Sequence, residues 1–225
     1  LEAPAYKIAS FELIDLPLIA CVAQTGKPLI LSTGMANMQE IQEAIDTARS
    51  NGCDELVVLH CVSGYPSPAD QYNLKTIADI SERFNTLSGL SDHTIDNATA
   101  VAAVALGACV IEKHVTLDRT GGGADDSFSI EPSELAQLCS DANTAWQAVG
   151  KVNYERTESE KGNAQFRRSL YVVSDIAEGE IFTTENIKSI RPGFGMAPKL
   201  LNEIIGKMAA KNLKKGMALK PELIK

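Results

Sequence analysis

From residue 5 to 150 the chain alternates short, almost continuously apolar runs with helical segments, five times over. The runs occupy residues 6–10, 28–32, 56–61, 86–91 and 109–114, and their starts advance by 22, 28, 30 and 23 residues. Such a step is what repeated strand–helix units require. A run that is apolar at nearly every position, rather than every second one, belongs to a strand covered on both faces, so the strands are expected to be parallel. Between them, residues 38–50 place Ile41, Ala44, Ile45 and Ala48 on one face of a helix, and Gly52 stands where such a helix ends. Residues 97–106 are rich in Ala and Val, and residues 132–150 open on Pro132-Ser133-Glu134 and close on Gly150, as a helix does.

Five successive units mean a barrel or an open, doubly wound sheet. No G-x-G-x-x-G follows a strand, which disfavours the dinucleotide-binding version. Polar residues gather just past the strands: Ser10 and Glu12, Ser32 and Thr33, Cys61 to Tyr65, Ser91 to His93, His114 to Thr116. Either architecture builds its site there. Three further units of the same length would bring the domain near the ~250 residues of a (β/α)8 TIM barrel. Residues 1–150 are therefore expected to be the later part of such a barrel, lacking its first three units. Residues 151–165 are polar and aperiodic and read as a linker. Residues 166–225 form a second, small domain of short strands, at 169–173 and 186–191, with a short helix at 200–206.

Composition narrows the function. No stretch of 18 apolar residues occurs, which excludes a membrane-spanning helix, and no secretory leader opens the sequence. Five cysteines, an odd number with no C-x-x-C pair, point to reduced, buried thiols in a cytoplasm rather than disulfides or a zinc knuckle. The net charge of −8 is uneven: residues 1–150 carry 7 basic against 20 acidic side chains, and residues 151–225 carry 14 against 9. The basic end could face the acidic body or bind nucleic acid. Its lysines are interleaved with Glu and lack an aromatic platform, which speaks against nucleic acid.

Of three histidines, His93 and His114 stand 21 residues apart, about one unit, each at the end of a strand. Two imidazoles from neighbouring strands at one rim can share a divalent metal; each can also be simply a polar strand-end residue. Asp92 could orient an imidazole or cap the following helix, and Ser91 could hold an anion or cap. Lys7 lies inside an apolar strand next to Ser10, a position an anionic ligand explains better than an unpaired ammonium does; the alternative is an ammonium that reaches out to solvent. His60 reads as structural. The Gly121-Gly122-Gly123 loop carrying Asp125 and Asp126 is a flexible segment with two acids.

Taken in order, Lys7-Ile8-Ala9-Ser10-Phe11-Glu12, Ser32-Thr33-Gly34-Met35, Tyr65-Pro66-Ser67-Pro68, Ser91-Asp92-His93-Thr94, Ile111-Glu112-Lys113-His114 and Phe128-Ser129-Ile130-Glu131-Pro132 resemble the sialic acid synthase family. Phe166-Arg167-Arg168-Ser169-Leu170, Arg191-Pro192-Gly193-Phe194-Gly195 and Lys214-Lys215-Gly216 look like the antifreeze-like SAF domain that ends those synthases. The resemblance implies condensation of phosphoenolpyruvate with an open-chain acylated amino sugar, releasing phosphate. It implies His93 and His114 as metal ligands, for Mn2+ first and Mg2+ or Co2+ as alternatives. It assigns Lys7, Ser10 and Ser91 to phosphoenolpyruvate, Glu12 to proton transfer, and Tyr65, Asp125, Phe166 and Arg191 to the sugar. It further implies a cytoplasmic, domain-swapped homodimer. The glycine loop and the Phe128–Pro132 motif look like the pseudaminic acid branch, with neuraminate or legionaminate synthesis as the alternative. A metal-dependent sugar-phosphate aldolase or isomerase, or a non-catalytic carbohydrate-binding protein, would share some of these features. With three barrel units outside it, the chain alone is expected to be inactive.

Overall fold

The computed structural model describes residues 2–225, which divide into two compact units, residues 2–151 and 152–225. In the first, β1 (Tyr6–Ile8), β2 (Leu29–Ser32), β3 (Leu56–Cys61), β4 (Leu87–Asp92) and β5 (Ile111–Lys113) form one parallel sheet in sequence order. The order never reverses, so there is no switch point of the doubly wound kind. The sheet is strongly curled: Lys7 on one edge strand and Glu112 on the other approach to 3.5 Å. The result is an arc of barrel wall with helices.

The helices are α1 (Leu16–Ala23), α2 (Met38–Ser50), α3 (Thr76–Phe84), α4 (Ala98–Ala105) and α5 (Pro132–Val149). The stripe read in residues 38–50 is the buried one, with Ala44, Ile45 and Ala48 at the sheet. Asn37 starts α2 by accepting from the backbone N–H groups of Gln39 and Glu40, while the Glu40 carboxylate accepts from the Asn37 N–H. One core packs Ile8, Leu29, Leu31 and Val58 against Ile19, Ile45 and Ile80; another packs Leu90 and Ile130 with Tyr72, Ile77 and Leu138.

Three of the five cysteines, Cys21, Cys109 and Cys139, are exposed; only Cys53 and Cys61 are buried. The expectation of buried thiols fails because a helix buries only one stripe: in the apolar α1, Ile19 and Ala23 are the buried residues. Among the described residues no helix is long and apolar enough to cross a membrane.

The second unit pairs β6 (Ser169–Val172) antiparallel with β7 (Ile187–Ile190) around Leu170, Val172, Phe182, Ile187 and Leu219. Residues 151–165 contain the one-turn helix α6 (Glu158–Lys161) and part of a 3-10 turn, Gly162–Phe166. The helix expected at 200–206 is the single turn α7 (Leu201–Ile204). Gly195 allows its loop to press on β6: a Cβ there would lie 2.4 Å from the Leu170 carbonyl oxygen.

Candidate active site

The ladder between β4 and β5 pairs Leu90 with Ile111, Ser91 with Glu112 and Asp92 with Lys113. One step further, this register sets His93 beside His114, which is why 21 residues of sequence separate two touching rings. Their centroids are 5.3 Å apart. Tyr65 lies 4.3 Å from the His93 ring and 5.8 Å from that of His114, and Phe128 is 5.2 Å from His114. The Asp125 carboxylate stands 3.5 Å from His114 Nδ1.

His93 is held on every side. Its N–H donates to Tyr72 Oη at 2.6 Å and its carbonyl accepts from the Ser67 N–H at 3.0 Å. Its Nδ1 lies 2.8 Å from the Val62 carbonyl. Nδ1 is therefore the protonated nitrogen, and the Nε2 lone pair is left for a ligand. Tyr72 is fully buried, and burial pushes its phenol well above the usual range. The His60 ring bonds the Tyr72 carbonyl and burial lowers its pKa, in keeping with a structural role.

A second group adjoins the histidines along the inner face. The Ser91 hydroxyl donates to Glu112 Oε1 at 2.7 Å, Glu112 Oε2 is 3.5 Å from Lys7 Nζ, and the Lys7 ammonium also donates to the Ile8 carbonyl. Ser10 Oγ accepts from the Gly34 N–H at 3.0 Å. Gly34 is glycine for lack of room: a Cβ would meet Ser63 Oγ at 2.1 Å and Ser10 Oγ at 2.8 Å. The hydroxyls of Ser32 and Ser63 are buried with no hydrogen-bond partner among the described residues. Ser63 and Ser10 turn their hydroxyls to the same place at Gly34, and buried hydroxyls left unpaired are what an anion site contains before its ligand is counted.

Cys61 joins the two groups, its Sγ 3.9 Å from His93 Nδ1. Burial pushes the thiol pKa up, but hydrogen bonds from His93, Ser10 and Ser91 outweigh it and bring the value below that of an ordinary cysteine. Burial likewise pulls His93 down, and the Cys61 and Val62 interactions reverse that, so its pKa lies above the ordinary histidine value.

Thus Lys7, Ser10, Ser91, Tyr65, His93, His114 and Asp125 come together at the ends of the strands. Glu12 is exposed on the 3-10 turn Ser10–Glu12, and no hydrogen bond or ion pair ties its carboxylate to the group. Phe166 and Arg191 are exposed on the second unit, where the Gly193 N–H donates to the Gln165 carbonyl and links their two segments. Asp92 neither orients an imidazole nor caps α4. It forms a buried ion pair with Lys113 and accepts from the Thr94 N–H and hydroxyl. The sequence places Ser32, Cys61 and Ser63 among the polar residues at the strand ends but gives them no individual role, and Glu112 enters it only within a motif; the step-by-step register of β3, β4 and β5 is the signal that brings Cys61, Ser91 and Glu112 into line.

Among the described residues no group of three or more His, Cys, Asp and Glu side chains could hold a metal ion. The protein offers two imidazoles, one with its Nε2 free by virtue of the Val62 bond. That set suits a transition metal whose remaining positions are filled by substrate or water oxygens.

The family model for NeuB matches residues 1–154, and that for the SAF domain matches residues 167–225. The chain belongs to the NeuB family. This NeuB-family chain is 42% identical over 216 residues to a pseudaminic acid synthase of Campylobacter jejuni, covering 96% of the chain and 63% of that protein. It is 41% identical to an N,N'-diacetyllegionaminic acid synthase of the same species, covering 93% of the chain and 64% of the relative. The crystal structure of the spore coat polysaccharide biosynthesis protein SpsE of Bacillus subtilis superposes with a TM-score of 0.62 at 32% identity, over 98% of this chain and 67% of that one. The NeuB-family chain thus spans a little under two thirds of the length of the curated synthases it matches.

Proposed function

We propose that the chain provides the last five units of an eight-unit synthase barrel, together with its SAF domain, and that the whole enzyme condenses phosphoenolpyruvate with an open-chain acylated amino sugar. The observation that carries this reading is the junction of the two groups: a cationic, hydroxyl-rich seat abuts a pair of ring nitrogens on one inner face. The seat suits the phosphate and carboxylate of phosphoenolpyruvate, held by Lys7, Ser10 and Ser91, with Ser32 and Ser63 as further donors. His93 and His114 would hold a divalent ion, Mn2+ first, which when bound polarises a sugar aldehyde.

In the reaction, C3 of phosphoenolpyruvate bonds to the aldehyde carbon, whose oxygen takes a proton. Water adds at C2 and supplies that proton. The C2–O bond to phosphate then breaks, and the remaining hydroxyl proton leaves with the phosphate. Lys7 and the hydroxyls hold the anionic groups in place throughout. Tyr65 and Phe128 offer ring faces beside the histidines, and Asp125 an acceptor, where the sugar would lie. Arg191 and Phe166 of the second unit are assigned to the sugar by the family resemblance, and Glu12 to proton transfer. The opposite charges of the two units support a homodimer, and the reduced thiols a cytoplasmic setting.

Pseudaminic acid is the favoured product, supported by the similarity to the C. jejuni pseudaminic acid synthase; the nearly equal similarity to a legionaminic acid synthase keeps that sugar as the second reading. The test is calorimetric binding of phosphoenolpyruvate to the chain, followed by phosphate release from the chain extended to the length of its relatives, assayed with a panel of acylated amino sugars. Binding abolished in Lys7→Ala and turnover with one sugar are expected. Phosphoenolpyruvate binding that is indifferent to Lys7, Ser10 and Ser91 would overturn the assignment.

A further inference from the structure

We propose that Lys113 is a positioning residue that sets the spacing of the two imidazoles; this rests on reading His93 and His114 as one site. Strand alternation turns Ser91, His93, Glu112 and His114 to the inner face and sends Asp92 and Lys113 to the opposite side. There the Lys113 ammonium donates to Asp92 Oδ2 at 2.7 Å, to the Thr94 carbonyl at 2.6 Å and to the Asp96 carbonyl at 2.9 Å, with Thr94 Oγ1 3.3 Å away. The side chains of Lys113 and Asp92 are 3% and 0% exposed.

The acceptors bracket His93: Asp92 precedes it and Thr94 follows it. The donor is the residue bonded directly to His114. One ammonium therefore ties the backbone on both sides of the first imidazole to the backbone that carries the second. The other restraints on His93, from Tyr72, Ser67 and Val62, come from the β3 side and do not reach β5. A buried ion pair is a weak source of net stability, since uncharged residues of similar volume often serve as well. What this pair supplies is geometry.

The test separates positioning from mere neutralisation of a buried charge. Lys113→Met strands the Asp92 carboxylate and is expected to lower stability. The double variant Asp92→Asn, Lys113→Met removes both charges and keeps an acceptor for the Thr94 N–H, so its denaturation midpoint returns toward that of the parent. Two readouts are then taken on the double variant. Nuclear Overhauser contacts between the His93 and His114 ring protons, measured without metal and assigned readily with only three histidines, are expected to weaken. Mn2+ affinity, by electron paramagnetic resonance, is expected to fall about 10- to 100-fold, as for other residues that orient ligands. Asp92→Asn alone, which keeps the Lys113 bonds to both carbonyls, is expected to retain the ring contacts and gives the comparison should the double variant fail to fold. A stable double variant with parental ring contacts overturns the proposal, as does Asp92→Asn losing the contacts as fully as Lys113→Met. Lost ring contacts with no Mn2+ binding by the parent would uphold the positioning role and remove the metal from the site.

Discussion

Lys7 on the first strand and Glu112 on the fifth reach each other across the inner face of the sheet, 3.5 Å from Nζ to Oε2, with three strands between them. The carboxylate thereby occupies the ammonium that the proposed substrate needs. An ion pair this open to water is worth only ~0.2–1 kcal/mol, so a phosphate can displace it. Glu112→Gln is expected to tighten binding of inorganic phosphate by a few-fold, and Lys7→Ala to weaken it by about tenfold or more. Calorimetric titration of both variants decides; weaker binding by Glu112→Gln would count against a shared ammonium.

Gly34→Ala tests the hydroxyl seat. A new Cβ would strike the Ser63 and Ser10 hydroxyls and come within 3.1 Å of the buried Cys61 Sγ. Turning Ser10 aside also takes the acceptor from the Gly34 N–H, so stability should fall by about 1–3 kcal/mol, while phosphoenolpyruvate affinity falls about tenfold or more as both hydroxyls turn aside. Urea denaturation and a binding titration on one preparation would show whether the two effects separate.

The raised pKa of His93 fixes the sign of a pH effect. A protonated ring has no lone pair for a metal, so Mn2+ binding should fall as pH drops through the raised value and recover above it. Cys61→Ser removes a principal cause of the rise and should let binding persist to lower pH. The same shift means that the charged ring supports folding below the ordinary histidine pKa, and that this support is lost as pH climbs through the raised one. Spin-resonance titrations of parent and variant over a pH series provide the check; identical midpoints would refute the role given to Cys61.

Tyr72→Phe leaves the His93 backbone N–H buried without its acceptor. A loss of about 1–3 kcal/mol is expected, read as a lower urea midpoint with an unchanged m-value. An unaffected midpoint would mean that the segment after β4 finds another acceptor.

The order of strands and the site's place at their ends were legible because apolar runs and polar strand ends are local features. Helix 38–50 was read to the residue, since a clean stripe and the Gly52 beyond it mark the segment in the sequence. Strand ends were not: residues 109 and 110 belong to the apolar run and bond β4 through the Cys109 N–H and the Val110 carbonyl, yet regular pairing starts at Ile111. Where regular pairing starts is a property of two segments. The paired histidines followed from a spacing of one unit. Glu112 and the Lys113–Asp92 pair did not, because their partners are set by register across strands. From its neighbours in sequence alone Asp92 suits a helix cap or a carboxylate that orients an imidazole; its real partner is 21 residues away.

The wall at the paired histidines consists of rings: Tyr65, His93, His114 and Phe128 meet in tilted and edge-on contacts as a continuous cluster. Each turns about only two side-chain bonds and is already wedged by its neighbours. Little rotamer freedom is left there to surrender when a ligand arrives. For the sugar proposed to lie there, such a seat would select by rigid fit, and sugars that differ in the placement of one substituent should be told apart by clash more than by attraction.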